Sequence, residues 1–225
     1  MTGAHDEPGD IEVVFLCTAN QGRSPLAEQL LQRHVGGLPV RVRSRGLLSV
    51  GPAPALPEVA HAAHELGVDL DAHRARVLVP GELEDADLVI GFEPSHSAAA
   101  VVEGRAGRDT VFTLAELAEL LERHAADGRR DLRARLDAGI SFANGRRAGR
   151  DRFRAPAIED PLGASPQTVA RIVQEIASGV DRVASALFAA ASSSSPPTER
   201  ERAPGRRAPG WPWRGRGGSS GRPSG

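Results

Sequence analysis

The sequence predicts an α/β domain in which a parallel sheet is covered by helices on both faces. Three observations carry that prediction. Strand-like and helix-like segments alternate along the chain from Ile11 onward. The first apolar run, "IEVVFL", has the continuous character of a buried strand. The last segment, from Ser165, repeats apolar residues at helical spacing through Leu187, as a long closing helix does.

The elements follow in order. Residues 11–16 read as the buried strand. "SPLAEQLLQRH" (24–34) reads as a helix with Ser24 as N-cap and Pro25 at the first helical position. "PVRVRS" (39–44) alternates apolar and polar, as a half-buried strand should. "LPEVAHAAHELG" (56–67) reads as a helix closed by Gly67. "DLVIGF" (87–92) and "DTVFTL" (109–114) read as further strands, with a helix between them and another after. The closing helix carries Val169, Ile172, Val173, Ile176, Val180, Val183 and Leu187, with Ser165-Pro166 at its start.

Composition bounds the function. At 225 residues and 40% hydrophobic, the chain can bury a sizeable core. A net charge of −1 gives no general pull toward nucleic acid or a membrane surface, and no run of apolar residues is long enough to span a bilayer. The single cysteine excludes intrachain disulfides and thiolate metal clusters, and fits a reducing, cytoplasmic setting. No metal or cofactor is expected: His61 and His64 share a helix face, but no third ligand accompanies them.

Composition also divides the chain. Residues 1–10 are an acidic N-terminal extension, and residues 11–191 form the domain proper. From Ser192 the sequence is Ser, Pro, Gly and Arg, with seven arginines against two glutamates, and residues 192–225 are expected to be a disordered tail. Within the domain, residues 118–157 form an enlarged, Arg-rich segment, with nine arginines between Arg129 and Arg154. These read as a solvated face or mobile loop, not a substrate clamp.

Ligands bind at the carboxyl ends of the strands in sheets of this kind, and Cys17 lies at the end of the first one. The loop "CTANQGRSP" joins that strand to a helix N-terminus, where free N–H groups and the helix dipole favour an anion and the thiolate form of a cysteine. Thr18, Ala19, Asn20, Gln21, Gly22, Arg23 and Ser24 would form a cradle for phosphate. Arg23 would meet the anion with a bidentate guanidinium. Asn20 suits a left-handed turn, and Ser24 could hydrogen-bond the thiolate as well as cap the helix. A lone cysteine is often just a buried strand residue. Here the strand–loop–helix setting argues for a nucleophile.

The motif "CTANQGRSP" resembles the signature of the low-molecular-weight protein tyrosine phosphatases. "SRG" (44–46), "AHRAR" (72–76) and "EDP" (159–161) resemble three further segments of that family, and "SRGLLSVG" resembles its bacterial branch tied to exopolysaccharide regulation. The resemblance implies a four-stranded parallel sheet in a phosphatase I-like three-layer sandwich. It implies Cys17 as nucleophile, Arg23 as phosphate ligand, Asp160 as general acid, and Ser44 and His73 as structural support of the loop. The implied activity is phosphotyrosine hydrolysis through a phosphocysteine, on a tyrosine-phosphorylated protein such as a bacterial tyrosine kinase, with neither nucleic acid nor membrane as partner. Two alternatives stand beside it: an arsenate reductase that uses an external small thiol, and a non-catalytic phosphate-binding interaction protein. The sequence departs from the family at Gly22, where many members have a second cysteine, and at Leu162, where members often carry an aromatic residue.

Overall fold

The computed structural model describes residues 11–125, 131–149 and 155–189. The expectations for residues 1–10 and 192–225 lie outside the described residues, as does part of the Arg-rich segment. The elements run β1 (Ile11–Cys17), α1 (Arg23–His34), β2 (Val40–Gly46), α2 (Pro57–Glu65), β3 (Leu88–Gly91), α3 (Pro94–Val102), β4 (Val111–Thr113), α4 (Leu114–Leu120), α5 (Leu132–Arg147) and α6 (Pro166–Leu187).

The four strands form one parallel sheet in the order β2-β1-β3-β4. This is the sheet that the sequence predicts. Side chains alternate between its faces along β1. Val13, Phe15 and Cys17 face a large core built with α1, α2, α4, α5 and α6. Val14 and Leu16 face a smaller one made with α3 and the segment around Leu78 and Leu83. Helix α6 supplies the widest apolar face, including Val169, Ile172, Val173, Ile176, Val180 and Val183. Truncating one such large side chain to alanine typically costs about 2–5 kcal/mol. Its start is as expected: Ser165 is the N-cap, accepts a hydrogen bond from Thr168 N–H, and is followed by Pro166.

The strand order reverses direction between β1 and β3. β1 is followed by a helix leading to β2 on one side, whereas β3 and β4 lie on the other. A crevice opens at such a switch point, beyond the carboxyl ends of the two central strands. Cys17 ends β1 there, and Phe92 and Glu93 follow the end of β3.

Two expectations need correction. Ser24 does not cap α1. The N-cap is Gly22, no side chain caps the helix, and Ser24 is already inside it. The Ser24 hydroxyl is drawn back onto Cys17 and Asn20 instead. The second concerns the Arg-rich segment. Its described part is mostly helix α5, whose arginines are not simply solvated. Arg147 is buried, donates from two nitrogens to the carboxylate of Glu116 at 2.9 and 2.7 Å, and lies 3.7 Å from the Phe112 ring centroid. Arg135 donates to the carbonyl of Ala189 at 2.9 Å, just past the end of α6, and Arg146 donates to that of Leu120 at 3.1 Å at the end of α4. The Leu120 carbonyl is one that a helix end leaves without a partner, and the Ala189 carbonyl belongs to the chain just beyond a helix end. The guanidinium groups therefore fasten α5 to its neighbours.

Removing one member of a buried ion pair strands the other, at a cost of about 3–5 kcal/mol. Arg147→Ala should therefore lower the urea unfolding free energy by about 3 kcal/mol or more, well beyond Arg146→Ala, whose parent side chain is less buried. Equal effects of the two substitutions would show that Arg147 does not anchor α5.

Candidate active site

Residues 17–23 turn from the end of β1 into the start of α1. The turn requires one left-handed residue, and Asn20 takes that position with φ of 54°. Its side chain then holds the loop from three directions. The amide nitrogen donates to Ser24 Oγ at 2.9 Å and to Ser44 Oγ at 2.8 Å, and the amide oxygen accepts from Arg76 N–H at 2.8 Å. Its own carbonyl lies 2.6 Å from His73 Nε2. Ser44 in turn donates to the Glu28 carboxylate at 2.5 Å.

These contacts set the direction of the hydroxyl groups. Ser44 gives its hydrogen to Glu28, so it can accept from Asn20. Ser24 accepts from Asn20, and its hydroxyl lies 2.9 Å from Cys17 Sγ and 3.4 Å from the Arg45 carbonyl, the two acceptors within reach of its hydrogen. The uncapped N-terminus of α1 leaves its first N–H groups for the loop's occupant.

Close approach of β2 makes this possible. Gly46 pairs in register with Cys17. A Cβ there would stand 2.8 Å from the carbonyl carbon of Ala19 and 2.9 Å from Asn20 N, below any tolerable contact. Only glycine lets the strand lie behind the loop.

Arg23 is buried, at 2% exposure, and points into the same space. Its Nη1 donates to the Ile158 carbonyl at 3.0 Å and meets Glu93 at 3.4 Å. Its Nη2 donates to Thr18 Oγ1 at 3.2 Å and to the carboxylate of Asp160. Asp160 is brought there from far along the chain. Ile158 N–H donates to the Phe92 carbonyl at 2.7 Å, tying this segment to the end of β3. Pro161 packs against Gly22, where a Cβ would lie 3.0 Å from Pro161 Cγ. Gly22, where the sequence departs from the cysteine of many family members, thus lets the Asp160-Pro161 turn sit close on the loop. The following Leu162 is 71% exposed.

The structure therefore brings Cys17, Thr18, Asn20, Arg23, Ser24, Ser44, His73 and Asp160 into one cluster. Ala19, Gln21 and Gly22 complete the loop, with Gln21 donating to the Pro54 carbonyl at 2.9 Å. Sequence reasoning missed Glu93 and His96. His96 is 1% exposed, accepts from Phe92 N–H through Nδ1 at 3.2 Å, and carries its hydrogen on Nε2. That nitrogen lies 3.0 Å from Glu93 and 3.2 Å from Thr18 Oγ1. Burial, with the Arg23 charge beside it, lowers the His96 pKa from 6.5 to about 4. The available signal was position: "EPSH" begins one residue after β3, the strand across the switch point from Cys17.

A buried arginine and a cysteine in a strand–loop–helix turn, with an aspartate above them, define a cysteine-loop phosphatase site on a parallel α/β sheet. The chain belongs to the low molecular weight phosphotyrosine protein phosphatase family, whose model matches residues 12–129. That family comprises phosphoric monoester hydrolases. The chain is 34% identical over 108 residues to a protein-arginine-phosphatase of Bacillus subtilis (strain 168), spanning 47% of this chain and 71% of the relative. It is 34% identical over 86 residues to the low molecular weight protein-tyrosine-phosphatase Etp of Escherichia coli (strain K12), spanning 38% and 57%. Among solved structures it resembles a YwlE mutant from Bacillus subtilis, with a TM-score of 0.56 and 26% identity over 78% of this chain and 97% of that one.

Two outcomes follow from the geometry. Gly46→Ala should cut turnover by about 10²-fold while the protein stays folded, because displacing the loop by a fraction of an ångström misplaces the nucleophile. A variant with unaltered kcat would remove the close approach from the account. His96 has a lower pKa in the fold than in the unfolded chain, so the unfolded state takes up its proton first as pH falls. Its contribution to stability should be complete above about pH 6.5 and decline toward pH 4. Urea midpoints across that range should show the decline in the parent and a smaller one in His96→Asn. Parallel slopes would place the titrating group elsewhere.

Proposed function

We propose that this protein hydrolyses phosphorylated side chains of proteins through a phosphocysteine, with phosphotyrosine as the substrate residue. Cys17 attacks phosphorus, and the loop N–H groups and Arg23 hold the equatorial oxygens as charge develops on them. Asp160 gives its proton to the leaving phenol oxygen, and water, deprotonated by the same carboxylate, then attacks the phosphocysteine and releases phosphate. Ser24 serves as donor to the departing thiolate. Ser44 and His73, through Asn20, keep the loop in its anion-binding shape.

The observation that carries this reading is the meeting of Asp160 with Arg23 directly above the Cys17 loop. The acid is on the guanidinium that would bind the phosphate, so displacement by substrate leaves it beside the bond to be cleaved. An arsenate reductase has no leaving phenol to protonate, and a binding module needs no acid at all. A bacterial tyrosine kinase as substrate and a cytoplasmic location are consistent with this reading. Among the described residues no helix is long and apolar enough to cross a membrane.

One observation favours a second substrate residue. The described domain offers no aromatic side chain at the Leu162 position to stack on a phenol ring, and the relative from Bacillus subtilis is a protein-arginine-phosphatase. Phosphoarginine hydrolysis uses the same nucleophile and the same acid, with a guanidine as leaving group. Matched phosphotyrosine and phosphoarginine peptides, compared by kcat/KM with arsenate reduction assayed alongside, separate the readings.

The acid is tested by leaving-group dependence. Asp160→Asn should slow hydrolysis of an alkyl-substituted phenyl phosphate by about 10²-fold or more and that of p-nitrophenyl phosphate much less, since a good leaving group needs the proton less. Equal losses for both would remove Asp160 from the acid role.

A further inference from the structure

β2 is the outermost strand of the sheet, but at its carboxyl end one more segment lies alongside it. Gly46 N–H donates to the Arg76 carbonyl at 2.8 Å, and Leu78 N–H donates to the Gly46 carbonyl at 2.8 Å. This is a parallel bridge between Gly46 and Val77. In such a bridge the central residue turns its own N–H and C=O to the opposite side. Val77 therefore offers a backbone donor and acceptor on the outer edge of the sheet.

The edge is apolar as well as open. Val77 and Val79, two residues apart on one extended segment, are 39% and 58% exposed. Leu48 and Val50 are 58% and 43% exposed, and a depression of about 100 Å³ between Leu48, Val50, Ala75 and Val77 joins the two segments. Isolated exposed aliphatics are ordinary, but four together beside an edge open at Val77, between Ala75, whose N–H donates to the Ala53 carbonyl, and Val79, whose N–H donates to Glu82, form a template for a short added strand. Arg76, also exposed, adds positive charge at its start.

The location says what the occupant is. Leu48 N–H donates to the Thr18 carbonyl at 2.7 Å, and Leu47 N–H to that of Cys17 at 2.9 Å. The edge begins one hydrogen bond away from the candidate catalytic loop. An extended chain advances about 3.3 Å per residue, so the residues flanking a phosphorylated residue in the loop are within reach of this edge. We propose that residues 76–79, with Leu48 and Val50, form the docking edge for the substrate segment that flanks the phosphorylated residue. That segment adds as a short strand, using Val77 for backbone hydrogen bonds and the exposed Val77, Val79, Leu48 and Val50 side chains for alternate β-branched side chains. The pairing stops at Val79, whose N–H donates to the Glu82 carboxylate at 3.1 Å and whose carbonyl accepts from Glu82 N–H at 3.0 Å. The inference rests on the phosphatase reading for the origin of the segment, but its test does not require turnover.

The test uses the full chain and two phosphotyrosine peptides, one with alternating valine and glutamate beside the phosphorylated residue and one with glycine there. Val77→Asp combined with Val79→Asp is compared with the parent. In the parent the valine peptide should have about tenfold higher kcat/KM than the glycine peptide, expressed in KM. The double variant should lose that preference and keep its turnover of p-nitrophenyl phosphate. An N-methyl group on a flanking amide of the valine peptide should weaken the parent's reaction and leave the variant's unchanged. Peptide binding measured on Cys17→Ser should show the same order by Kd, whether or not the parent turns over phosphate esters. No preference in the parent, a preference that survives in the double variant, or an equal loss with p-nitrophenyl phosphate would overturn the docking edge. So would a concentration-dependent dimer that the double variant abolishes, because a second copy would then occupy it. Absence of p-nitrophenyl phosphate hydrolysis with the binding order intact would instead overturn only the phosphatase reading.

Discussion

The site depends on one residue held in a left-handed backbone conformation. Asn20 pays for that conformation through its side chain, whose amide reaches Ser24, Ser44 and Arg76 at once. These contacts are buried, where an unmade hydrogen bond costs more than a made one gains. The chain therefore has strong reason to keep the loop in a single shape before any ligand arrives. Catalysis by fixed donors needs this, because donors that must reorganise as charge develops lose much of their effect.

The supporting groups come from separate places. Ser44 and Gly46 come from β2, His73 and Arg76 from the segment that runs beside it, and Glu28 from the second turn of α1. Across the switch point, Glu93 and His96 follow β3 and enclose Arg23 from the other side. Asp160 and Pro161 form the roof. The buried guanidinium thus sits between two carboxylates and a carbonyl. In the proposed mechanism a phosphate would compete with Asp160 for it, which would couple substrate entry to movement of the carboxyl group onto the leaving group.

How much of this the sequence discloses follows from distance along the chain. Cys17, Asn20, Arg23 and Ser24 lie in one loop, and a strand run followed by a helix start reveals where that loop is and which way it faces. Ser24 meets the sulfur as the sequence suggests but does not cap the helix, because local pattern cannot show that α1 already begins at Arg23. Asp160 is 137 residues from Arg23 and was legible only through the family's Asp-Pro segment. Glu93, 70 residues from Arg23, was not legible, since its role depends on which strand neighbours β1. The arginines of α5 misled for a related reason. Charge in a sequence suggests solvent, and only packing shows that Arg147 lies between Glu116 and Phe112.

The central claim is that Cys17 carries the phosphoryl group. Rapid acid quenching during turnover of a phosphate ester, followed by mass analysis of the peptides, reads this directly. The account predicts one phosphoryl group per chain, on Cys17, appearing before free phosphate and decaying as it forms, and a longer-lived adduct in Asp160→Asn. Turnover with no phosphorylated Cys17 at any quench time, or with the label on another residue, would contradict it.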